Sequence, residues 1–428
     1  MNSIDISFMD KLDKFNDDSV NDNKIDLIYS LTNLYQNISN ELKMAYNANL
    51  KFVPSKYDIY FPNKIKKNDK NVILVSHEMT RTGAPLVLKD LASVLIDKGY
   101  NVIVFSPAYG KLVEEYNNMG CIVIIQMDLL KGRYDDEIVL QESEIRLLAN
   151  MISYSDFSVF CTLVLHNIIK FFIDTEYEIY WWLHEGSISF EQCYKLLPEK
   201  LSDNIHVLSV CEYVAKRFDQ FNLNNYKGDI LNYMVEDIDN YIRKESNSDK
   251  VNFICVGTID YRKGQDLLLK AIEILPFDYL KRTTFTFVGS KHNPRIVEKL
   301  EKMTRMYDNI SYQYDLTRED VFALYEKMHC IIAPSRDDPM PVVLTENMII
   351  GNICMCSDHT GTADYIESGE NGFVFQSENY IQIADQIKYI TDYISELKNM
   401  GIKSRKIYEE HFTKERFVEN VTRLILDV

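Results

Sequence analysis

The sequence predicts an α/β protein made of two doubly wound domains, each with a parallel sheet covered by helices. Short apolar runs of strand length alternate with helical patterns, first over residues 71–240 and again over residues 250–395. Between the two series, residues 234–250 are charged or small and polar, which is typical of an interdomain linker. Alternation of strands and helices favours parallel sheets, and two separate series favour two domains.

Composition excludes several classes of protein. The 428 residues are 46% hydrophobic and carry a formal net charge of −17, which allows two cores and argues against a nucleic-acid partner. Eight cysteines are scattered, mostly in apolar runs and never as C-x-x-C, so we expect buried reduced thiols. The N-terminus lacks signal-peptide character and no run of about 18 apolar residues occurs, so we expect a cytoplasmic protein without a membrane span.

Residues 1–70 are predicted to form a helical N-terminal extension. Segment 25–46 has apolar residues at helical spacing, and such a face must pack against something. We favour docking on the chain's own first domain; the alternative is an oligomer or partner contact. The apolar positions are Ile25, Leu27, Ile28, Leu31, Leu34, Tyr35, Ile38 and Leu42.

The first domain opens with a strand, a loop, a helix and a second strand. Residues 71–76 read as a buried strand, Gly83 lies in the following loop, and Gly99 ends the helix. A glycine loop at the head of a helix can accept a phosphate. No G-x-G-x-x-G occurs here, so a dinucleotide-binding fingerprint is absent and a simple tight turn is an equal alternative. Further strands are predicted at 101–106, 121–126, 157–162, 178–183 and 206–210.

His184 follows directly after the predicted strand 178–183. A histidine at the tip of a parallel strand lies at the edge of the sheet where ligands bind, and histidine is a ready donor at neutral pH. We favour a functional role over a histidine that only caps the strand.

In the second domain, the segment 257–266 reads GTIDYRKGQD and follows a predicted strand at 252–256. Lys263 therefore lies between a strand and a helix, where a compact positive charge suits a phosphate. Arg262 stands beside it, and ordinary surface charges are the alternative for both. Asp266 is predicted to cap the helix. More strands are predicted at 284–289, 310–313, 330–333 and 353–356.

The stretch 330–375 holds the most informative pattern. A loop between Pro334 and Pro341 carries Asp337 and Asp338, and the helix after it carries Glu346, eight residues beyond Asp338. A helix rises about 1.5 Å per residue, so the two carboxylates reach different parts of one elongated ligand. After the next strand, the segment 360–362 (Thr-Gly-Thr) opens a short helix whose amides favour an anion.

This stretch resembles the donor-site signature of retaining GT-B glycosyltransferases of family 4: an acidic residue, seven intervening residues, a glutamate, a strand and a glycine-containing turn. The resemblance is close over 330–375 and looser over the rest of 71–428. It implies the GT-B fold, with two Rossmann-like domains facing a cleft and a C-terminal helix, 396–428, that crosses back to the first domain. It also implies a UDP- or GDP-linked sugar donor, retention at the anomeric carbon, and no metal or separate cofactor.

The resemblance assigns donor binding mainly to the second domain and the acceptor to the first. Lys263 would hold the diphosphate, Glu346 the ribose hydroxyls and Asp338 the donor sugar, while the leaving phosphate itself deprotonates the acceptor. The implied donor-binding residues are Gly83, Ala84, Arg262, Lys263, Asp338, Met340, Glu346, Thr360, Gly361 and Thr362, and the implied catalytic residues are His184, Asp338 and Lys263. Asp337 is adjacent and is a candidate to share the task of Asp338.

Three departures from the family pattern keep alternatives open. Thr258 stands where the family often has an arginine, Asp338 where it usually has glutamate, and Pro339-Met340-Pro341 where it tends to have glycine. The missing arginine at Thr258, together with the N-terminal helix, keeps open the alternative of a catalytically reduced subunit that scaffolds a partner transferase; an epimerase or phosphorylase is less favoured. The expected acceptor is a glycan, a lipid-linked or a protein-linked molecule in surface polysaccharide or glycan assembly, with peripheral contact at the inner face of the cell membrane as a further expectation.

Overall fold

The computed structural model describes residues 57–62, 68–131, 139–221, 228–238, 249–314 and 316–427. The amphipathic segment 25–46 and most of the predicted linker, 239–248, lie outside the described residues. Within the predicted helical extension 1–70, the structure contains a strand at Tyr57–Tyr60 that the sequence analysis did not predict.

The first domain is built on an eight-stranded sheet. Its strands are β1 (Tyr57–Tyr60), β2 (Lys70–Ser76), β3 (Tyr100–Ser106), β4 (Ile122–Gln126), β5 (Phe157–Cys161), β6 (Ile179–Leu183), β7 (Ile205–Ser209) and β8 (Asp229–Ile230). They lie in the order β1-β4-β3-β2-β5-β6-β7-β8, and β1 runs antiparallel to β4 while the other pairs are parallel. Every residue of β5 and β6 is buried, as expected for strands covered on both faces.

Helices cover the first sheet through periodic apolar faces. The first of them buries Leu88, Leu91 and Leu95, at helical spacing. The helices are α1 (Gly83–Asp97), α2 (Leu112–Met119), α3 (Glu142–Ile152), α4 (His166–Ile169), α5 (Ser187–Cys193) and α6 (Glu212–Phe221).

The second domain has a six-stranded sheet in which all pairs are parallel. Its strands are β9 (Val251–Val256), β10 (Thr283–Val288), β11 (Ile310–Gln313), β12 (Cys330–Ala333), β13 (Ile353–Ser357) and β14 (Phe373–Phe375), in the order β11-β10-β9-β12-β13-β14. Its helices are α7 (Gln265–Glu273), α8 (Phe277–Arg282), α9 (Pro294–Met306), α10 (Arg318–Tyr325), α11 (Val342–Ile350) and α12 (Tyr380–Tyr393).

Strand order reverses at one place in each sheet. In the first sheet the chain leaves β2 towards β3 and later returns to the other side of β2 with β5; in the second sheet β9 and β12 stand in the same relation. Ligands of open parallel sheets bind beyond the carboxyl ends of the strands at such reversals. The loops after β2, β5, β9 and β12 are therefore where a site is expected.

The chain returns to the first domain at its C-terminus, through α13 (Lys398–His411), α14 (Lys414–Val421) and a π-helical turn at Thr422–Leu426. The Phe417 ring stacks on Trp182 with centroids 6.2 Å apart, and the Tyr180 hydroxyl donates to the Ile425 carbonyl at 3.3 Å. These contacts pack the C-terminal segment against the first domain.

All eight cysteines fall within the described ranges and each is a buried free thiol, as the sequence predicts. Burial raises the pKa of Cys121 and of Cys356 to about 12, so these thiols stay protonated. Within the described residues, no helix is long and apolar enough to cross a bilayer.

Candidate active site

Lys263 and Asp338 meet at the strand reversal of the second sheet. Lys263 Nζ lies 2.5 Å from Asp338 Oδ2, and Arg262 Nη1 lies 3.6 Å from Asp338 Oδ1. Asp338 is 6% exposed, so a nearly buried carboxylate faces two cations. Gly264 allows this approach: its φ is +70°, and a Cβ there would lie 1.8 Å from the Pro334 carbonyl oxygen.

Arg336 fixes the loop that carries Lys263. Its guanidinium binds the Asp266 carboxylate at 2.7 and 2.9 Å and lies 3.8 Å from the centroid of the Tyr261 ring. The prediction that Asp266 caps the helix was wrong, because Gly264 occupies the N-cap position and the Asp266 carboxylate is engaged by Arg336. The bidentate ion pair between Arg336 and Asp266 therefore fixes the position of the loop that carries Lys263.

The loop that carries Asp338 is held by its main chain. The Asp338 amide donates to the His359 carbonyl at 3.0 Å, and the Gly361 amide donates to the Asp338 carbonyl at 3.1 Å. The Thr360 amide donates to the Ser357 carbonyl at 3.2 Å. Because the amides of Thr360 and Gly361 are engaged within the chain, their capacity to hold a diphosphate is lower than the sequence suggests. Thr362 follows on a short 3₁₀ helix, Gly361–Tyr365.

Met340 packs beside this loop instead of presenting a free surface. It is 9% exposed, and its sulfur lies 3.9 Å from the Thr362 hydroxyl. Pro341 occupies the N-cap position of α11, and Gly351 ends that helix with φ +74°. The helix therefore begins directly after Pro341 and ends at Gly351.

Glu346 lies in the middle of α11 and is 7% exposed. Arg318 donates its Nε–H to Glu346 Oε1 at 2.8 Å. Burial raises the pKa of Glu346 above its ordinary value, and the Arg318 guanidinium counters part of that rise. Sequence reasoning missed Arg318, because the first residue of α10 is ordinarily a solvent-exposed position and no motif marks it.

His184 lies at the carboxyl end of β6, in the first domain, with its ring 4.6 Å from that of Trp182. Its Nε2 is buried and has no hydrogen-bond partner among the described residues. Burial, with a smaller effect of His77, lowers the pKa of His184 to about 3, so the imidazole is neutral. Glu185 fixes the strand end by accepting from the amides of His184 and Leu163 at 2.9 and 2.8 Å.

Gly83 and Ala84 begin α1, the helix that follows β2 at the reversal of the first sheet. Gly83 is exposed, and a Cβ built on it would meet no atom within 4 Å. The Ala84 carbonyl accepts a weak hydrogen bond from Cys161 Sγ at 3.6 Å. Open space at this helix end suits either a ligand or a simple turn.

Asp337, which the sequence offers as a candidate to share the task of Asp338, has its carboxylate engaged by the other domain. Its carboxylate is 4% exposed and accepts hydrogen bonds from the first domain, including the Ser187 amide at 2.9 Å. Sequence reasoning missed this contact because its two partners are 150 residues apart.

The fold and these strand-end loops together define the GT-B class of proteins. Residues 237–407 match the family model of glycosyl transferases group 1, and residues 68–201 match that of glycosyl-transferase family 4. The chain belongs to this family of glycosyltransferases.

Solved structures share the fold. The Anabaena protein Alr3699/HepE in complex with UDP superposes with a TM-score of 0.66 at 14% identity, over 84% of this chain and 100% of that one. Its complex with UDP-glucose gives a TM-score of 0.65 at 15% identity, with the same coverage. WaaG, described as a glycosyltransferase of lipopolysaccharide biosynthesis, gives 0.61 at 14% identity over 83% and 99% of the two chains.

Two curated relatives match over shorter segments. Spore coat protein SA of Bacillus subtilis is 25% identical over 174 residues, which is 39% of this chain and 46% of that protein. An uncharacterized 41.2 kDa protein in the cps region of Klebsiella pneumoniae is 24% identical over 142 residues, 33% and 37% of the two chains. The chain thus spans less than half the length of these curated relatives.

Proposed function

We propose that this protein transfers a sugar from a nucleotide-linked donor to an acceptor, with retention at the anomeric carbon. The proposal is carried by one observation: Lys263 and Asp338 are in contact at the strand reversal of the second sheet, and Glu346 follows on the helix that leaves the same loop. A sugar nucleotide consists of a diphosphate, a ribose and a sugar. Lys263 suits the diphosphate, Glu346 the ribose hydroxyls and Asp338 the sugar hydroxyls.

Donor binding gives a reason for the position of the buried Asp338 carboxylate beside the two cations Lys263 and Arg262. Breaking the glycosidic bond leaves negative charge on the diphosphate, which fixed cations stabilise as it develops. Lys263 and Arg262 now neutralise Asp338. When the donor binds, its phosphates take over the cations and its sugar hydroxyls donate to the freed carboxylate. Arg262 supplies the second positive charge that Thr258 lacks, which weakens the main reason for the scaffold alternative.

Glu346 has the acceptor atoms that a ribose requires. An ionised carboxylate accepts hydrogen bonds from two vicinal hydroxyls at once. Arg318 binds one of its oxygens, Oε1, at 2.8 Å, which favours the ionised form needed for that recognition.

His184 completes the site from the first domain. A neutral imidazole both donates and accepts, so it binds a sugar or acceptor hydroxyl without adding charge beside the reacting bond. The leaving phosphate takes the acceptor proton, and no protein group is assigned as base. We expect His184→Gln to lower the turnover number at least about tenfold with unchanged nucleotide affinity. His206→Gln, at the opposite end of the first sheet, is the matched control.

The neighbours suggest where to begin with substrates. HepE was solved with UDP and UDP-glucose, which supports UDP-linked sugars as the first donors to test, ahead of GDP-linked ones. The names of the spore coat and cps-region relatives support an acceptor in surface polysaccharide or glycan assembly.

A thermal-shift screen against nucleotides and nucleotide sugars tests the proposal, because a ligand of the native state raises its melting temperature. Donors that shift the protein are then assayed for hydrolysis and transfer, with and without EDTA. We expect a UDP- or GDP-linked sugar to bind and turn over in both conditions. Binding without turnover would support the scaffold alternative, loss of turnover in EDTA would show a metal requirement, and no binding would contradict the proposal.

A further inference from the structure

Both carboxylate oxygens of Asp337 are directed at the other domain. Oδ1 accepts from the Ser187 amide at 2.9 Å and from the Tyr213 hydroxyl at 2.8 Å, and Oδ2 accepts from the Ile188 amide at 3.0 Å. All three donors belong to the first domain, whereas Asp337 belongs to the loop after β12 in the second. The contact therefore spans the cleft between the domains.

Gly186 gives independent support for the importance of this contact. Its φ is −90°, a backbone conformation that any residue adopts, so the glycine is not needed for its conformational freedom. A Cβ at this position would lie 2.0 Å from Asp337 Oδ1. The glycine leaves the room that the Asp337 carboxylate occupies.

The same segment links two residues of the candidate active site. His184 lies three residues before Ser187 on the first domain, and Asp338 is the residue after Asp337 on the second. Arg262 strengthens the connection by donating from Nη1 to the Asp337 backbone carbonyl at 2.8 Å. Asp337 thus lies between the end of β6, which carries His184, and Asp338, the next residue in the loop after β12.

Asp337 is poorly suited to bind sugar directly. A carboxylate has about four lone-pair sites, and three of those at Asp337 are already used. Tyr213 remains a donor at all ordinary pH values, because burial, with Asp337 as a further contributor, raises the pKa of its phenol to about 12. The side chain is engaged in joining the domains.

We propose that Asp337 is a positioning residue that holds the domains closed, so that the His184 strand end is fixed opposite the Asp338 loop. This inference rests on the proposed transferase function. Nucleotide binding, which falls to the second domain, does not need the contact. Turnover, which needs His184 and Asp338 together, does.

Two substitutions break the contact from opposite sides. Asp337→Ala removes the carboxylate, and Gly186→Ala keeps it but fills its space with a methyl group. Asp278→Ala, an exposed aspartate on α8, is the matched control. For each variant we would measure the dissociation constant for UDP by calorimetry, the turnover number with the preferred donor, and hydrogen exchange of the Ser187 and Ile188 amides.

We expect both variants to bind UDP within about twofold of wild type, to lose at least about tenfold in turnover number, and to exchange the two amides faster. A merely structural role would lower affinity and melting temperature together. The inference would be overturned if Asp337→Ala kept wild-type turnover and wild-type amide protection. If Asp337→Ala does not fold, the same measurements on Gly186→Ala decide the question. If wild type binds no nucleotide, the proposed function fails; the exchange measurement, which needs no substrate, still tests the contact, and unchanged protection still overturns it.

Discussion

Lys263 Nζ and Asp338 Oδ2 lie 2.5 Å apart, although the two residues are 75 positions apart in the chain. Parallel topology brings them together, because β9 and β12 are neighbours and both end at the same edge of the sheet. A charged ligand can replace both partners of this pair, because its phosphates can bind the Lys263 cation and its hydroxyls can donate to the nearly buried Asp338 carboxylate.

Lys263→Ala should weaken UDP binding at least about tenfold, because the diphosphate loses a charge-assisted contact of about 1.5–3 kcal/mol. The measurement is a calorimetric titration with UDP. Lys281→Ala, which removes an exposed lysine on α8, should leave the affinity unchanged. Equal affinity of Lys263→Ala and wild type would remove Lys263 from the donor site.

Arg318→Ala should shift the pH dependence of UDP binding upwards. The pKa of Glu346 is raised by burial and held down by Arg318, so loss of the guanidinium raises it further. Ribose recognition needs the ionised carboxylate. As the pH is lowered, Arg318→Ala should therefore lose UDP binding at a higher pH than wild type does. Titrations between about pH 5 and pH 8 measure the midpoint, with Arg295→Ala, on the exposed face of α9, as control. Superimposable profiles for Arg318→Ala and wild type would contradict this reading of Glu346.

Asp90→Asn should stabilise the protein at neutral pH. Burial, the largest cause, raises the pKa of Asp90 to about 6, with Glu236 contributing and Lys89, Arg318 and Lys414 opposing. The folded state therefore binds this proton more tightly than the unfolded state. The stability that this tighter proton binding gives the folded state is fully present below the ordinary pKa of 3.8, and it is lost as the pH rises through about 6.

Urea denaturation should show a gain of up to about 3 kcal/mol in Asp90→Asn near pH 7.5, shrinking towards zero near pH 4. Asp97→Asn, an exposed residue on the same helix, should change stability by less than about 1 kcal/mol at either pH. A pH-independent effect of Asp90→Asn would show that the carboxyl is not the cause.

Thr162→Gly should also stabilise the fold, by about 1 kcal/mol. Thr162 follows β5 directly and has φ 112° and ψ 157°, a conformation that costs a non-glycine residue about 1–3 kcal/mol. Its buried hydroxyl has no partner among the described residues. Glycine removes both penalties but adds about 0.4–1 kcal/mol of unfolded-state entropy. Thr162→Ala separates the two causes, since it removes the hydroxyl and keeps the strain. Urea unfolding that ranks Thr162→Gly below wild type would contradict the assigned strain.

The sequence was most informative where one chain segment contains the whole pattern. Apolar runs predicted most strands within one or two residues, and the spacing of Asp338 and Glu346 pointed to the loop after β12 as part of a candidate site. Strands β8 and β14 were missed because runs of two or three residues carry too little periodicity, and β1 was missed because it lies in the segment that was predicted to be helical.

Contacts between distant segments could not be predicted. Arg318 binds Glu346 from the start of α10, and Asp337 reaches Ser187 in the other domain. The engaged amide of Gly361 depends on the Asp338 carbonyl of the neighbouring loop, which no local propensity reports. Spacing indicates which residues share a strand end, but not which of their hydrogen-bonding groups are already satisfied.

Calorimetric titration of wild type and Glu346→Ala with UDP and with GDP tests the central claim most directly. Wild type should bind one of the two nucleotides, and Glu346→Ala, folded by circular dichroism, should lose at least about 100-fold in affinity as two charge-assisted ribose contacts disappear. Unchanged affinity of Glu346→Ala for the preferred nucleotide would contradict the account.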